Sequence, residues 1–161
     1  MRYWLKLIGI PVITFSLFAF AVYIFSEQDH FITTHSQCYG RCPTYEVWMF
    51  DNGIVFYYGE KFVAHTGPRI GYFDPKRFEE FSARYIALLD NLPPIPNPNL
   101  EVTDVQARSI FLKQNGQFRS VTVKDIEDGP RVPLVDAFIE QLESLGQISY
   151  WVEGVNEYQR P

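Results

Sequence analysis

The sequence predicts an α+β domain behind an N-terminal transmembrane helix, with an antiparallel sheet of two β-hairpins packed against two helices. An uncharged apolar run occupies residues 7–25. Two pairs of strand-like segments each surround an Asn-Gly dipeptide, which is the strongest short-range indication of a hairpin turn. A segment with apolar side chains at helical spacing follows each hairpin. The predicted order is therefore hairpin-helix-hairpin-helix.

The composition limits the class of protein and its partners. The chain has 161 residues, which is the length of one domain, and 17% of them are aromatic, which argues against disorder. The formal net charge is −5. No basic patch that could neutralise phosphates is visible, so nucleic acid is not predicted as a partner.

The apolar run predicts a membrane anchor. As a helix, residues 7–25 would span about 28 Å, close to the hydrocarbon thickness of a bilayer. Arg2 and Lys6 precede the run, whereas Glu27 and Asp29 follow it. The positive-inside rule then places the N-terminus in the cytoplasm and the domain outside, in the periplasm. The lipid bilayer is the partner predicted for residues 7–25.

A cleaved signal peptide is the alternative. Ala19-Phe20-Ala21 fits the small-x-small pattern of a cleavage site, and cleavage near Ala21 would give a secreted protein. The apolar run continues to Phe25, however, which favours an uncleaved anchor. The predicted organisation is residues 1–25 as anchor or signal segment, 26–37 as a polar tether, 38–152 as one domain and 153–161 as a tail.

The first predicted hairpin joins residues 45–50 to residues 54–58 around Asn52-Gly53. A two-residue loop pairs Met49 with Phe56 and Val47 with Tyr58. Both faces of this hairpin are apolar, so we expect that it is covered on both sides or that it presents an aromatic surface.

The second face of that hairpin supplies a candidate binding patch. In the predicted register it carries Trp48, Phe50 and Tyr57, whose rings would bind a ligand or a protein if they were exposed. The alternative is that a helix covers the face and the three rings belong to the core.

The rest of the domain follows in order. Residues 62–66 are a candidate third strand. Asp74-Pro75 is typical of a helix start, and Pro93-Pro94 ends that helix. Its apolar stripe is predicted to contain Phe78, Phe81, Tyr85, Leu88 and Leu92.

The second hairpin turns at Asn115-Gly116 and pairs Leu112 with Arg119 and Ile110 with Val121. Pro133 opens the second helix, and Gly146 lies where a C-terminal cap belongs. Residues 148–152 are predicted to add a strand. The second helix has an apolar stripe of Leu134, Val135, Phe138, Ile139, Leu142 and Leu145.

Cys38 and Cys42 are the first candidates for chemistry. Outside the cytoplasm two thiols this close tend to oxidise, so a structural disulfide at the entry to the first hairpin is favoured. A redox-active pair is the second hypothesis, although three intervening residues ahead of a strand lack the helix N-terminus that activates such thiols. A metal site with His30 and His35 is the third, but the spacing matches no zinc pattern.

The remaining polar residues predict no catalytic centre. Paired carboxylates such as Glu140 and Glu143 are predicted on solvated surfaces. His65 has no nucleophile that can be placed beside it. The sequence also lacks the Gly-x-Ser-x-Gly, His-Glu-x-x-His and phosphate-loop motifs.

One resemblance covers the soluble part of the chain. Cys38-x-Gly40-x-Cys42-Pro43-x-Tyr45 is followed by Asp51-Asn52-Gly53-x-Val55-x-Tyr57-Tyr58-Gly59. This resembles a family of small bacterial extracytoplasmic domains of unknown function, with the signature Cys-x-Gly-x-Cys-Pro-x-Tyr and then Asp-Gly-x-Val-x-Tyr-x-Gly. The sequence departs from the signature by inserting Asn52 and by placing two tyrosines together. The resemblance implies an extracytoplasmic location and no particular activity.

The sequence therefore favours a membrane-anchored extracytoplasmic domain with a non-enzymatic role, in binding or in envelope structure. An envelope protein or a small ligand is the expected partner, and neither a cofactor nor a metal is predicted. The alternative is a thiol-disulfide redox protein that uses Cys38 and Cys42.

Overall fold

The computed structural model describes residues 27–96 and 104–153 of the chain. Four strands precede the first helix, two strands follow it, and two further helices end the described part. The elements are β1 (His30–His35), β2 (Thr44–Phe50), β3 (Ile54–Lys61), β4 (Gly67–Tyr72), α1 (Lys76–Asn91), β5 (Ala107–Gln114), β6 (Gln117–Lys124), α2 (Arg131–Leu145) and α3 (Ile148–Glu153).

The six strands form one antiparallel sheet in the order β4-β3-β2-β1-β5-β6. The predicted architecture of two hairpins in the order hairpin-helix-hairpin-helix is wrong. Strand β1 lies at the centre, paired with β2 on one side and with β5 on the other. It joins the two hairpins into one sheet, and β4 extends that sheet at its far edge.

Strand β1 also corrects the predicted tether at residues 26–37. Its residues Thr33 and His35 alternate with Ile32 and Thr34, and their side chains point to the side of the sheet that carries the helices. The backbone of His30–His35 is hydrogen-bonded to neighbouring strands on both sides. Such pairing satisfies its polar groups without water.

Two further local predictions are wrong. Residues 62–66, the predicted third strand, do not form a strand. Strand β4 begins directly after them, at Gly67. Pro68 is tolerated there because β4 is an edge strand, where a missing N–H costs no ladder bond. Residues 148–153 form helix α3 rather than a strand.

The predicted membrane anchor at residues 7–25 lies outside the described residues, as do positions 154–161 of the predicted tail. Within residues 27–96 and 104–153, no helix is both long and apolar enough to cross a bilayer.

The two hairpins differ in their loops. Asn115 and Gly116 both have positive φ, 51° and 73°, and the predicted register of the second hairpin is confirmed. In the first hairpin Gly53 has positive φ whereas Asn52 does not, and Met49 pairs with Val55. The loop is therefore one residue longer than predicted, and that shift moves every β3 side chain to the opposite face.

The helices cover one face of the sheet and form the core with it. Phe31 of β1 lies at the centre, with its ring 5.4 Å from Phe78 and 5.7 Å from Tyr85 on α1, and 6.3 Å from Phe138 on α2. Helix α1 begins where predicted, because the Asp74 carboxylate accepts a hydrogen bond from the Lys76 amide at 3.1 Å. We call the end of the sheet at His30 its upper end, the end at His35 its lower end, and the side opposite the described helices its open face.

Candidate functional site

A cleft of about 370 Å³ lies at the lower end of the sheet, between the strands and helices α2 and α3. The last residue of β1, His35, and the second residue of β2, Tyr45, form part of its wall. Arg108 of β5 and Glu143 of α2 also line it. The cleft therefore brings together a carboxylate, an imidazole, a phenol and a guanidinium from four separate elements.

Glu143 is the centre of this cluster. It is only 9% exposed, although it carries a carboxylate. Its Oε1 accepts a hydrogen bond from the Thr33 hydroxyl at 2.9 Å, and its Oε2 accepts one from the Tyr45 hydroxyl, also at 2.9 Å. Because a buried carboxylate is costly without partners, these bonds explain how it is tolerated at this position.

His35 and Tyr45 are neighbours in the β1–β2 register and stack on each other. Their ring centroids lie 4.2 Å apart with an interplanar angle of 16°, and His35 Nε2 is 3.3 Å from Oε1 of Glu143. Burial and the adjacent Glu143 carboxylate raise the pKa of Tyr45 far above its usual value of 10.0. Tyr45 therefore keeps its proton and remains a hydrogen-bond donor to Glu143.

Arg108 contributes a charge that is already balanced. Its guanidinium pairs with Asp125 and lies 2.7 Å from Asp136 Oδ1. Burial by itself lowers the pKa of Arg108, but the two carboxylates raise it by more, so that the net shift is upward. The residue stays cationic and neutralises part of the acidic wall.

The cleft as a whole is acidic. Its lining carboxylates are Asp136, Glu140, Glu143 and Glu153, against the single guanidinium of Arg108. Glu140 and Glu153 are exposed, so they set the sign of the charge at the entrance. An acidic entrance that leads to a partly accessible carboxylate suits a small cation with N–H donors.

The disulfide lies at the rim of the cleft. Cys38 and Cys42 are bonded, with Cα atoms 5.8 Å apart, in the connection between β1 and β2. Pro43, the next residue, lines the cleft, and its carbonyl accepts a hydrogen bond from the Gln106 side chain at 2.7 Å. The predicted disulfide is therefore present, and it closes the loop that supplies one wall.

The structure places the predicted binding patch on two different faces. Trp48 and Phe50 lie on the open face, where the Trp48 ring stacks on His30 at a centroid distance of 5.5 Å and the Phe50 ring is tilted against it at 5.7 Å. Tyr57 lies on the helix-covered face instead, fully buried beneath Trp151. Its placement beside Trp48 and Phe50 was wrong because the β3 register is shifted by one residue.

Tyr57 belongs to the core next to the cleft. Its hydroxyl donates to the His65 carbonyl at 3.2 Å. Burial raises the pKa of Tyr57 to about 12; Glu143 adds to the rise and Arg69 opposes it.

The residues of the third hypothesis, the metal site, are not brought together. His30 lies on the open face at the upper end of β1, whereas His35 lies on the covered face at the lower end. Cys38 and Cys42 are bonded to each other. Within the described residues, no group of three or more His, Cys, Asp or Glu side chains could hold a metal ion.

Glu143 is the site residue that the sequence interpretation missed. Paired with Glu140, it was predicted to be solvated. It follows Ile139 by four residues and Val135 by eight, so it lies on the apolar stripe of α2. A carboxylate on a buried helical stripe is the pattern that could have identified it.

Most of the chain matches one family of protein domains. The DUF6438 model, described as a domain of unknown function, matches residues 29–145. The matched segment begins immediately before β1 and ends with α2, so it contains Thr33, His35, Tyr45 and Glu143. No curated protein matches the chain. The predicted resemblance to an uncharacterised domain family is confirmed, and the chain belongs to the DUF6438 family.

Proposed function

We propose that this protein is a membrane-tethered extracytoplasmic binding domain, whose lower cleft takes a small ligand with a cationic amino or guanidino group. The observation that carries the proposal is the Glu143 carboxylate, 9% exposed, in the wall of an acidic cleft. A carboxylate has lone pairs for about four donors; Glu143 uses two of them on Thr33 and Tyr45, and His35 Nε2 lies 3.3 Å from its Oε1. The capacity that remains is the position we assign to a ligand.

Preorganisation supports binding at this site. Thr33 on β1 and Tyr45 on β2 each donate a hydrogen bond to one oxygen of the Glu143 carboxylate, and β1 and β2 are the two central strands of the sheet. A ligand would therefore meet a carboxylate that is already oriented and would not have to order it. Fixed donors and acceptors of this kind reduce the entropic cost of binding.

Tethering outside the cytoplasm is supported by the apolar run at residues 7–25, by the charges that flank it, and by the disulfide. Disulfides persist in oxidising compartments and are rare in the cytosol. The proposal is for binding, and the Ser144 hydroxyl in the cleft wall donates to the Gln141 carbonyl of its own helix at 2.7 Å.

Calorimetric titration of the full chain in detergent tests the proposal. The probes are primary alkylamines and alkylguanidines, with alcohols of the same length as neutral controls. We expect the cations alone to bind, and Glu143→Gln to weaken them about 10- to 100-fold, because a charge-assisted hydrogen bond becomes a neutral one. Glu80→Gln, on the exposed side of α1, is the matched control and should leave affinity unchanged.

Two results of this titration would contradict the proposal. If neither class of cation binds, or if Glu143→Gln binds them as tightly as the native chain does, then Glu143 serves only to fasten α2 to the sheet.

Thiol-disulfide exchange is the second candidate, favoured by the partial exposure of both Cys38 and Cys42. Against it, the pair follows a strand, so no helix N-terminus stabilises a thiolate. Equilibration with glutathione buffers separates the two functions. A bond that remains oxidised throughout, while Cys42→Ser retains amine binding, would leave only the binding function.

A further inference from the structure

The open face of the sheet changes character along its strands. Side chains on this face come from alternate positions of each strand, and the strand pairings place them in rows that run across the sheet. The row at the upper end is rich in aromatic and aliphatic residues. It consists of Tyr72, Ile54, Phe50, His30, Lys113 and Phe118.

Below the uppermost row, the open face passes from a second apolar row to a row at the lower end that is polar over most of its width. Between the uppermost and lowermost rows lies another row, which is apolar except for Ser120 at the β6 edge; its other members are Ile70, Phe56, Trp48, Ile32 and Phe111. Apolar character is therefore concentrated in the upper two thirds of the face. The lower row consists of Pro68, Tyr58, Glu46, Thr34, Ser109 and Thr122.

The upper apolar side chains are exposed towards the two edges of the sheet, whereas Phe50 and His30 between them are buried. Ile70 is 75% exposed, Tyr72 62% and Phe118 63%, while Phe56 and Ile54 are above one third. These five residues are the upper apolar surface. Four of them adjoin on β3 and β4, and Phe118 lies on the opposite edge strand β6. Exposed apolar patches of this kind mark interaction sites.

The point at which the chain enters the sheet indicates what covers the upper apolar surface. The apolar run ends at Phe25, and β1 begins at His30 at the upper end of the sheet. The residues between them can extend over about 14 Å at most. If residues 7–25 cross a bilayer, as the proposed function requires, the upper end of the sheet is held beside that bilayer and the lower end is held away from it.

We propose that the upper apolar surface rests in the headgroup and acyl boundary of the bilayer that anchors the chain. Tyrosine, phenylalanine and isoleucine are the residue types that bury an apolar body at this boundary. The tether converts a weak contact into an intramolecular one with a high effective concentration, so that a modest surface suffices. The inference rests on the membrane tether of the proposed function.

The proposal fixes the orientation of the cleft. Strand β1 has six residues, or about 20 Å at its usual rise, and the cleft lies at its lower end. With the upper end on the membrane, the acidic cleft faces the aqueous compartment. Because the net charge of the chain is −5, the contact depends on apolar burial rather than on attraction to anionic lipids.

Spin labelling of the full chain in phosphatidylcholine nanodiscs tests the proposal. Labels are introduced singly by Tyr72→Cys and Phe118→Cys at the upper end and by Thr122→Cys at the lower end of the same face. The native cysteines are bonded to each other and do not take the label. We expect the two upper labels to collide more often with oxygen than with a water-soluble nickel chelate, and the Thr122→Cys label to show the reverse.

The outcomes separate this inference from the tether. If alkaline carbonate leaves the chain in the membrane but the upper labels behave like the Thr122→Cys label, the tether stands and the docking is refuted. Upper labels shielded from both reagents would mean that protein covers the surface, which also refutes it. If carbonate extracts the chain, the tether and the docking fail together. A preference for oxygen that arises only with anionic lipid would overturn the proposed docking by apolar burial.

Discussion

Replacement of Phe31 by alanine tests whether β1 is the central strand of the core. Phe31 is 1% exposed and contacts aromatic rings on both α1 and α2. Removing a fully buried phenylalanine ring costs about 3–5 kcal/mol of unfolding free energy. That is a large part of the total of about 5–15 kcal/mol for a domain. The expected fall in melting temperature is about 6–20 °C for a chain of this length.

Phe118→Ala is the matched control, since it makes the same chemical change on a side chain that is 63% exposed. Its cost should stay within about 1 kcal/mol, the range of a cross-strand contact such as that with Phe111. Denaturant unfolding followed by circular dichroism measures both variants in the same detergent. Phe31→Leu should fall between them, because it keeps most of the volume. Equal costs for Phe31→Ala and Phe118→Ala would refute the central position of β1.

Three further predictions concern the cleft and its surroundings. Thr33→Val should cost about 1–3 kcal/mol of unfolding free energy, because it removes a hydrogen-bond donor from buried Glu143. In a Glu143→Met background the same substitution should cost much less. The exposed Thr122→Val is the control, and equal costs of Thr33→Val in both backgrounds would contradict the hydrogen bond. The unfolding free energy should fall as pH rises from 10 to 12, because folded Tyr57 keeps its proton up to about 12 while the unfolded phenol ionises at 10.0; alkaline unfolding of Tyr57→Phe should show a smaller fall, and an unchanged profile would count against the raised pKa. Reduction of the Cys38–Cys42 bond should cost about 2 kcal/mol by the loop-entropy argument; if unfolding with and without reductant coincides, the disulfide contributes nothing to stability.

Local interactions explain which elements could be predicted from the sequence. The β5–β6 hairpin follows the preference of Asn115-Gly116 for positive φ at both positions, and its predicted pairs are observed. The first hairpin contains the same dipeptide but forms a longer loop. There the Gly53 carbonyl accepts a hydrogen bond from the Phe73 amide at 2.9 Å, and Asp51 donates to the Asp29 carbonyl at 3.0 Å. Contacts with distant residues determine that turn, and dipeptide preference cannot supply them.

The site itself depends on burial that the sequence does not show directly. Glu143 is charged and His35 lies in a polar segment, so the sequence predicts both on solvated surfaces. Glu143 is instead buried, with the Thr33 hydroxyl 2.9 Å from its Oε1 and His35 Nε2 3.3 Å from the same atom, and both partners are more than one hundred residues away in the sequence. The pairing of polar residues across the core, rather than their individual polarity, decides where they lie.

Mapping of a bound alkylamine by amide chemical shifts is the most direct measurement of the proposed binding site. In the isotope-labelled full chain, the account predicts saturable shifts at His35, Tyr45 and Glu143, and none at Ile70 or Tyr72 on the open face. Shifts that cluster on the open face, or that persist unchanged in Glu143→Gln, would contradict it.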